Sequence, residues 1–306
     1  MKAQRDGVKR TGRFFSRLCA AYGFAFGRGL CEGFVFFAWS KQIATAPQVG
    51  QKFMLSISFL NQLRAAELAH IAACLPPGSR VLEIGAGTGQ QARLLSDQGF
   101  DVSAIEIPIS NYSASRIFPI TDYDGRTIPF PDASFDAVFS SNVLEHVPDL
   151  TNLHREIRRV LKPGGRVIHV LPTPAWRCWT TLSAFPDALQ SVASLAARLV
   201  PPLGGRPQAW RDWRAALNRA VRYLAAPALQ RRHGERGILL TEPWFFRPAW
   251  WRRNFAANGF QVLEDRPMGM FYTGNMLLGE RLPLPRRERL AAWLGSACHL
   301  FLLKAA

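Results

Sequence analysis

Paired cysteines are missing from this 306-residue sequence. The five it has, Cys19, Cys31, Cys74, Cys178 and Cys298, are odd in number, and no two stand as C-x-x-C. That excludes a disulfide framework and a zinc finger or ribbon, and it fits a reducing, cytoplasmic compartment. A long uncharged apolar run is missing too. The apolar stretch 18–39 is interrupted by Arg28 and Glu32, so no window of about 18 residues could span a bilayer as a helix. There is no internal repeat and no low-complexity tract, which argues against solenoids and extended disorder. No set of His, Cys and Asp has metal-ligand spacing, so no metal is expected.

Acidic residues are scarce: 22 Asp and Glu face 38 Lys and Arg, a formal net charge of +16. The deficit is uneven. Residues 79–172 carry 9 basic and 11 acidic side chains, 1–78 carry 10 and 3, and 173–306 carry 19 and 8. Basic flanks thus surround a slightly acidic centre. Such flanks favour phosphates, nucleic acid or anionic lipid, or are simply solvated. Tryptophan is absent from 79–172, whereas eight of the nine lie at 176–293.

The centre is rich in a different signal, the alternation of strands and helices. Arg80–Ile84 is a short apolar run ending in glycines and reads as a buried parallel strand. A helix over 90–98 follows, then a strand at 102–106, a third near 116–120 and a fourth at 135–140. The spacing at 150–161 predicts a helix stopped by Lys162-Pro163-Gly164-Gly165, before a fifth strand at 166–171. This alternation implies an α/β doubly wound parallel sheet. Prolines at 174, 186, 201, 202 and 207 are expected to divide 173–243 into short helices. A helix at 245–258, a strand at 260–264, a basic helix around 286–289 and a last strand at 299–303 complete the reading.

The strongest local motif is Val81-Leu82-Glu83-Ile84-Gly85-Ala86-Gly87-Thr88-Gly89. A strand feeds a tight turn whose backbone must pass close to a ligand, where a Cβ would collide. The G-x-G-x-G spacing differs from the G-x-G-x-x-G of dinucleotide dehydrogenases. A second carboxylate, Glu106, ends the next strand, where it can accept both hydroxyls of a ribose.

These pieces, with Asp124-Gly125-Arg126-Thr127-Ile128-Pro129-Phe130, Asn142-Val143-Leu144-Glu145-His146-Val147 and Leu161-Lys162-Pro163-Gly164-Gly165, occur in the order and at the separations of a known family. The sequence resembles the type 11 family of class I methyltransferases, which use S-adenosylmethionine (SAM), over about 79–172. The resemblance implies a Rossmann-like seven-stranded sheet with an N-terminal helical extension and a helical insertion after strand five. It also implies that Gly85, Gly87 and Gly89 admit the methionine part of SAM and that Glu83 orients its amino group. Glu106 would hold the ribose, Asp124 and Gly125 would meet the adenine, and Asn142 would sit beside the sulfonium. Pro108, where the family begins a helix, departs from the pattern and is expected to reshape the adenine side.

His146 is the candidate general base, should the acceptor have to lose a proton; its other reading is a residue that shapes the SAM pocket. Glu145 reads as structural, His169 as a core histidine and His154 as an exposed helix residue. The expected divisions are 1–78, a basic aromatic extension or cap; 79–172, the SAM-binding core; 173–243, a substrate-covering insertion; and 244–306, the completion of the fold. The acceptor is expected to be a small molecule, lipid or glycan, met by an aromatic and basic insertion. The six basic residues by Arg17 and the Phe-rich run after them suggest peripheral contact with an anionic membrane, or else a helical cap. The alternatives are an RNA methyltransferase and a SAM-binding protein without catalysis. Nucleic acid is disfavoured, because strand four leads into Ser140-Ser141-Asn142-Val143 rather than an N-P-P-Y type motif that stacks a flipped base.

Overall fold

A computed structural model describes residues 57–110, 113–202, 204, 206–227, 230, 232–272 and 281–306. The basic and Phe-rich segment up to residue 39, read as a membrane contact or a helical cap, lies outside them. The order is α1 (Ile57–Ala72), β1 (Arg80–Ile84), α2 (Gln90–Asp97), β2 (Asp101–Glu106), β3 (Thr121–Asp122), β4 (Phe135–Ser141), α3 (Leu150–Val160) and β5 (Leu161–Pro172). Then come α4 (Pro174–Ala193), α5 (Pro207–Ala225), α6 (Glu242–Phe245), α7 (Pro248–Ala257), β6 (Phe260–Pro267), α8 (Leu284–Leu294) and β7 (Cys298–Ala305).

The seven strands form one sheet in the order β3-β2-β1-β4-β5-β7-β6. Strands β3, β2, β1, β4 and β5 are mutually parallel. The parallel sheet read from the central alternation is there, and the correction lies in the two C-terminal strands. β7 runs antiparallel to both β5 and β6, so the sheet is mixed. Between β6 and β7 the chain passes through α8, and β7 then slots between two strands already laid down.

Successive side chains of a strand face opposite sides, and the two cores follow from that alternation. Val81, Ala137, Phe139, Ile168, Val170 and Leu300 face α1 and α2, against Phe59, Leu63, Leu68 and Leu95. Leu82, Ile84, Val138, Val167, Phe301 and Leu303 face α3 and α7, against Leu153, Ile157, Trp251 and Phe255. The helix at α1, read as part of an appended extension, is therefore a full member of the first layer.

Three further corrections are local. The third strand is not at 116–120 but at Thr121–Asp122, paired with Ile105 and Glu106. Residues 116–120 are held elsewhere: Ile117 N donates to Thr88 O at 2.9 Å, and Arg93 Nη2 donates to Ile117 O at 3.3 Å. The segment thus packs on the glycine turn. Second, the prolines of 173–243 open helices more than they break them. Pro174 and Pro207 stand at the first turns of α4 and α5, which run 20 and 19 residues, and Pro186 lies inside α4. Proline lacks an N–H, and the first turn has no intrahelical use for one. Third, 245–258 is two helices, because Pro248 opens α7 after α6 has ended.

Candidate active site

The strand order reverses between β1 and β4, the position where open α/β sheets place a crevice at the carboxyl ends of their strands. The conspicuous residues converge there. Gly85, Gly87 and Gly89 have φ of 73°, 58° and 79°, in the left-handed region that a side chain disfavours. A Cβ on Gly85 would collide with Val143, and one on Gly89 would lie 2.6 Å from Phe118 Cβ. These two side chains close one side of the turn, and its N–H groups at 85, 86 and 87 are tied to Ile105 O and the Glu106 carboxylate. Glu106 ends β2 with Oε2 accepting from Gly87 N and Oε1 from Ile107 N, both at 2.8 Å. Its carboxylate is thereby tied to the turn.

Glu83 is buried beneath the turn. Burial pushes its carboxyl up to about 8, opposed by a hydrogen bond from the backbone of Ala92, at the start of α2. Its Oε2 has no partner among the described residues. A buried oxygen of that kind is costly unless a donor reaches it, and an ammonium would serve. The orphaned oxygen and the left-handed glycine turn above it fit the amino-acid end and nucleoside of SAM.

Asn142 follows β4 with φ 55°, one of two non-glycine residues in the left-handed region among those described. Its N–H donates to Val170 O at 2.8 Å, which holds the strained backbone in place. With its amide oxygen turned toward α1, Asn142 accepts from both terminal nitrogens of Arg64. Arg64 also donates to Ser141 Oγ at 2.7 Å and lies 3.6 Å from buried Glu67. Burial would lower the Arg64 pKa, but Tyr272 and Glu67 hold it above its ordinary value. Burial pushes Glu67 up to about 7 against the pull of Arg64. Sequence reasoning missed Arg64, because nothing local distinguishes it from other basic residues of its flank.

Asp124 and Gly125 sit on an exposed turn. Asp124 Oδ1 accepts from Arg126 N at 2.8 Å and Thr127 N at 2.7 Å, and these bonds hold its pKa below the usual range. Gly125, at φ 75°, approaches Ile107. Gly125 thus stands beside the residue that follows β2.

A single 3₁₀ turn, Leu144–His146, follows Asn142. It exposes His146 and buries Glu145. A loop from the insertion is fastened onto this turn. Glu235 N donates to Glu145 O at 2.8 Å, and Arg236 donates to Val147 O at 2.7 Å. The loop is anchored in turn by Glu242, fully buried, whose Oε1 accepts from His233 N and Gly234 N at 2.6 Å and whose Oε2 pairs with Arg177 at 2.8 Å. His233 is thereby set edge-on to His146, with ring centroids 4.7 Å apart, and against Trp176 at 4.5 Å. Burial lowers both imidazole pKa values, that of His233 to about 4. Burial also pushes Glu145 up to about 8. Sequence spacing could not pair His146 with a histidine 87 residues away.

The other two central histidines are structural. His169 is buried with Nδ1 2.8 Å from Ser140 Oγ. His154, expected to be exposed, is fully buried: its ring packs on Phe255 and Phe260, and its Nε2 lies 3.1 Å from Asn254 Oδ1.

With this geometry in place, residues 82–169 match a family model described as a methyltransferase domain. A 2-methyl-6-phytyl-1,4-hydroquinone methyltransferase of Synechocystis sp. is 38% identical over 102 residues, 31% of this chain and 32% of that protein. The chain thus spans about a third of that relative's length. A demethylmenaquinone methyltransferase of Beutenbergia cavernae is 31% identical over 190 residues, 60% of this chain and 76% of the relative. A solved SAM-dependent methyltransferase from Mesorhizobium loti aligns over 79% of this chain and 98% of its own, at 18% identity and a TM-score of 0.45.

Proposed function

Since the chain belongs to the SAM-dependent methyltransferases, we propose that it carries the SAM methyl group to a small, largely apolar acceptor, a lipid or glycolipid included. Bound SAM supplies an electrophilic methyl on a sulfonium, so the protein's task is alignment and exclusion of water. The observation that carries the reading is the cluster at the β1/β4 switch. There the glycine turn 85–89, the tethered Glu106 carboxylate and the unpartnered Glu83 oxygen offer complementary contacts to one nucleoside amino acid. Glu106 is assigned the ribose hydroxyls and Glu83 the amino group. Arg64, a cation beside Asn142, is assigned the carboxylate. Asn142 borders the sulfonium, Gly125 and Asp124 border the adenine, and His146 stands on the acceptor's side.

Two features support an apolar acceptor. Trp176 and the two imidazoles cluster on the side assigned to the acceptor, with buried Phe246 packed against Trp176 and His233. The two relatives named above are, by their names, methyltransferases of a phytyl hydroquinone and of demethylmenaquinone. Calorimetry tests the cofactor assignment directly. Wild type should bind SAM and its demethylated product with micromolar-scale affinity. Glu106→Ala should lose about 1.5–3 kcal/mol of that binding, the worth of charge-assisted bonds. Wild-type affinity in the variant would refute the ribose assignment. Incubation of cell extract with deuteriomethyl-SAM, followed by mass spectrometry of lipid, glycan and RNA fractions, identifies the acceptor. Label confined to RNA would favour the alternative reading.

A further inference from the structure

We infer that Glu145, His146 and His233 form a binding site for one divalent transition-metal cation of the zinc class, with a coordination position left for an oxygen of the acceptor. The last clause rests on the methyl-transfer reading; the metal site itself does not.

The three residues come from two segments that sequence separation would never associate. The turn 144–146 belongs to the sheet core, and the loop 233–236 belongs to the insertion. Their ligand atoms nonetheless lie within 4.8 Å of one another. Glu145 Oε1 is the common point, 3.7 Å from His146 Nε2 and 3.9 Å from His233 Nε2. A tetrahedral shell with bonds of about 2.0–2.1 Å spaces its ligand atoms about 3.3 Å apart. Small rotations would therefore close it, and the exposed His146 ring has room for one.

The Glu145 carboxylate is the independent observation. It is buried, and neither of its oxygens accepts a hydrogen bond from another described residue. The neighbouring guanidiniums do not relieve it. Arg64 and Arg236 are near enough for their charge to be felt. However, Arg64 donates to Ser141 Oγ, and Arg236 to the carbonyls of Leu144 and Val147. Burying an acceptor without a donor is expensive, and a cation between Oε1 and the two imidazoles removes that cost.

The backbone holds the site on both sides. Gly234 lies so close to the Glu145 carbonyl that a Cβ would stand 2.7 Å from its oxygen. His233 N and Gly234 N are both fastened to Glu242. Two imidazole nitrogens and one carboxylate oxygen suit zinc, cobalt or nickel rather than magnesium or calcium, which prefer oxygen. Three protein ligands also leave the open position typical of a working metal centre. A cation held by these three residues would supply Lewis acidity to an acceptor hydroxyl at the open position, lowering its pKa so that its proton could pass to solvent.

The test uses the full chain, stripped with a chelator and dialysed. Zinc chloride is titrated by calorimetry, cobalt chloride is followed by its visible absorption, and SAM affinity and thermal melting are measured on the same samples. We expect one zinc per chain with micromolar or tighter affinity and a tetrahedral cobalt spectrum. His233→Gln and Glu145→Gln should each weaken zinc binding by about 100-fold. His233→Gln, at a partly exposed position, should keep the wild-type melt and SAM affinity. No stoichiometric binding, or wild-type zinc affinity in a folded His233→Gln protein, would overturn the site. Zinc binding that is lost in His233→Gln, in a protein that binds no SAM, would uphold the site while sinking the methyl-transfer reading.

Discussion

At the scale of single residues, the contacts that matter divide by how far apart in sequence their partners lie. The glycine turn and Glu106 were legible because their geometry is written into a few consecutive positions. G-x-G-x-G needs φ above zero at each glycine, and a carboxylate at the next strand's end meets the turn across one parallel register. Arg64 and His233 were not legible, because each acquires its role only across a fold-dependent contact, with Ser141 and with His146. His154 is an instructive misreading. In sequence it reads as an exposed helix residue, yet Leu150, Leu153, His154, Ile157 and Val160 form an unbroken i, i+3, i+4 stripe, all buried. That periodicity marks the buried face. Two predictions belong at this scale. Gly85→Ala adds a Cβ at φ 73° against Val143, so calorimetry should show SAM binding weakened by at least about tenfold, a strain of more than about 1 kcal/mol. His146→Ala should lower methyl transfer to the identified acceptor by about 100-fold with SAM affinity unchanged. Loss of SAM affinity in that variant would instead assign His146 to the cofactor pocket.

At the scale of elements, helix α3 carries a pH dependence. His154 is fully buried within it, and burial lowers its pKa to about 4 from an ordinary 6.5. The unfolded chain takes up a proton near 6.5 and the folded one resists it down to about 4. Stability from this group is therefore complete above pH 6.5 and is lost as pH falls toward 4. Glu83 and Glu145, with raised values, act in the opposite sense, so the contribution is read as a difference. Denaturation midpoints of wild type should fall between pH 6.5 and 4.5 more steeply than those of His154→Gln. Parallel curves would show that the imidazole is not excluded from water. The α4–α6 contact carries a second prediction. Glu242→Ala removes the carboxylate that faces Arg177 and caps the 233–234 backbone, and breaking a buried ion pair in this way costs about 3–5 kcal/mol. The fall should appear in chemical denaturation, with new protease cleavage near residue 233. Boundaries at this scale were legible where a strand meets glycine; the helix expected to stop at Lys162-Pro163-Gly164-Gly165 ends at Val160, and β5 takes in those four residues, starting at Leu161 rather than 166. Boundaries also failed in 173–243, since proline at a first helical turn and proline as a breaker look alike until the turn is seen.

For the molecule as a whole, charge and apolar surface converge on the insertion. Helices α4 and α5 expose Leu182, Phe185, Leu189, Trp210, Leu217, Val221 and Leu224, among the arginines of a region that carries the larger basic surplus. No helix among the described residues is long and apolar enough to cross a membrane. Each basic residue near an anionic leaflet would contribute about 1 kcal/mol to peripheral attachment. Co-sedimentation with anionic vesicles should recover the protein in the pellet, less so in high salt and not with neutral vesicles. Equal recovery in the supernatant in every case would leave a soluble acceptor. The sheet's order has a consequence for the protein's birth on the ribosome. β7 is made after β6 but lies between it and β5, so a nascent chain that has reached residue 297 presents two open strand edges with nothing to join them. Translation must deliver Cys298–Ala305 before either edge is quenched. A ribosome-tethered chain arrested before that point should cling to chaperones and yield to protease. One arrested after β7 has cleared the exit tunnel should be released by the former and resist the latter.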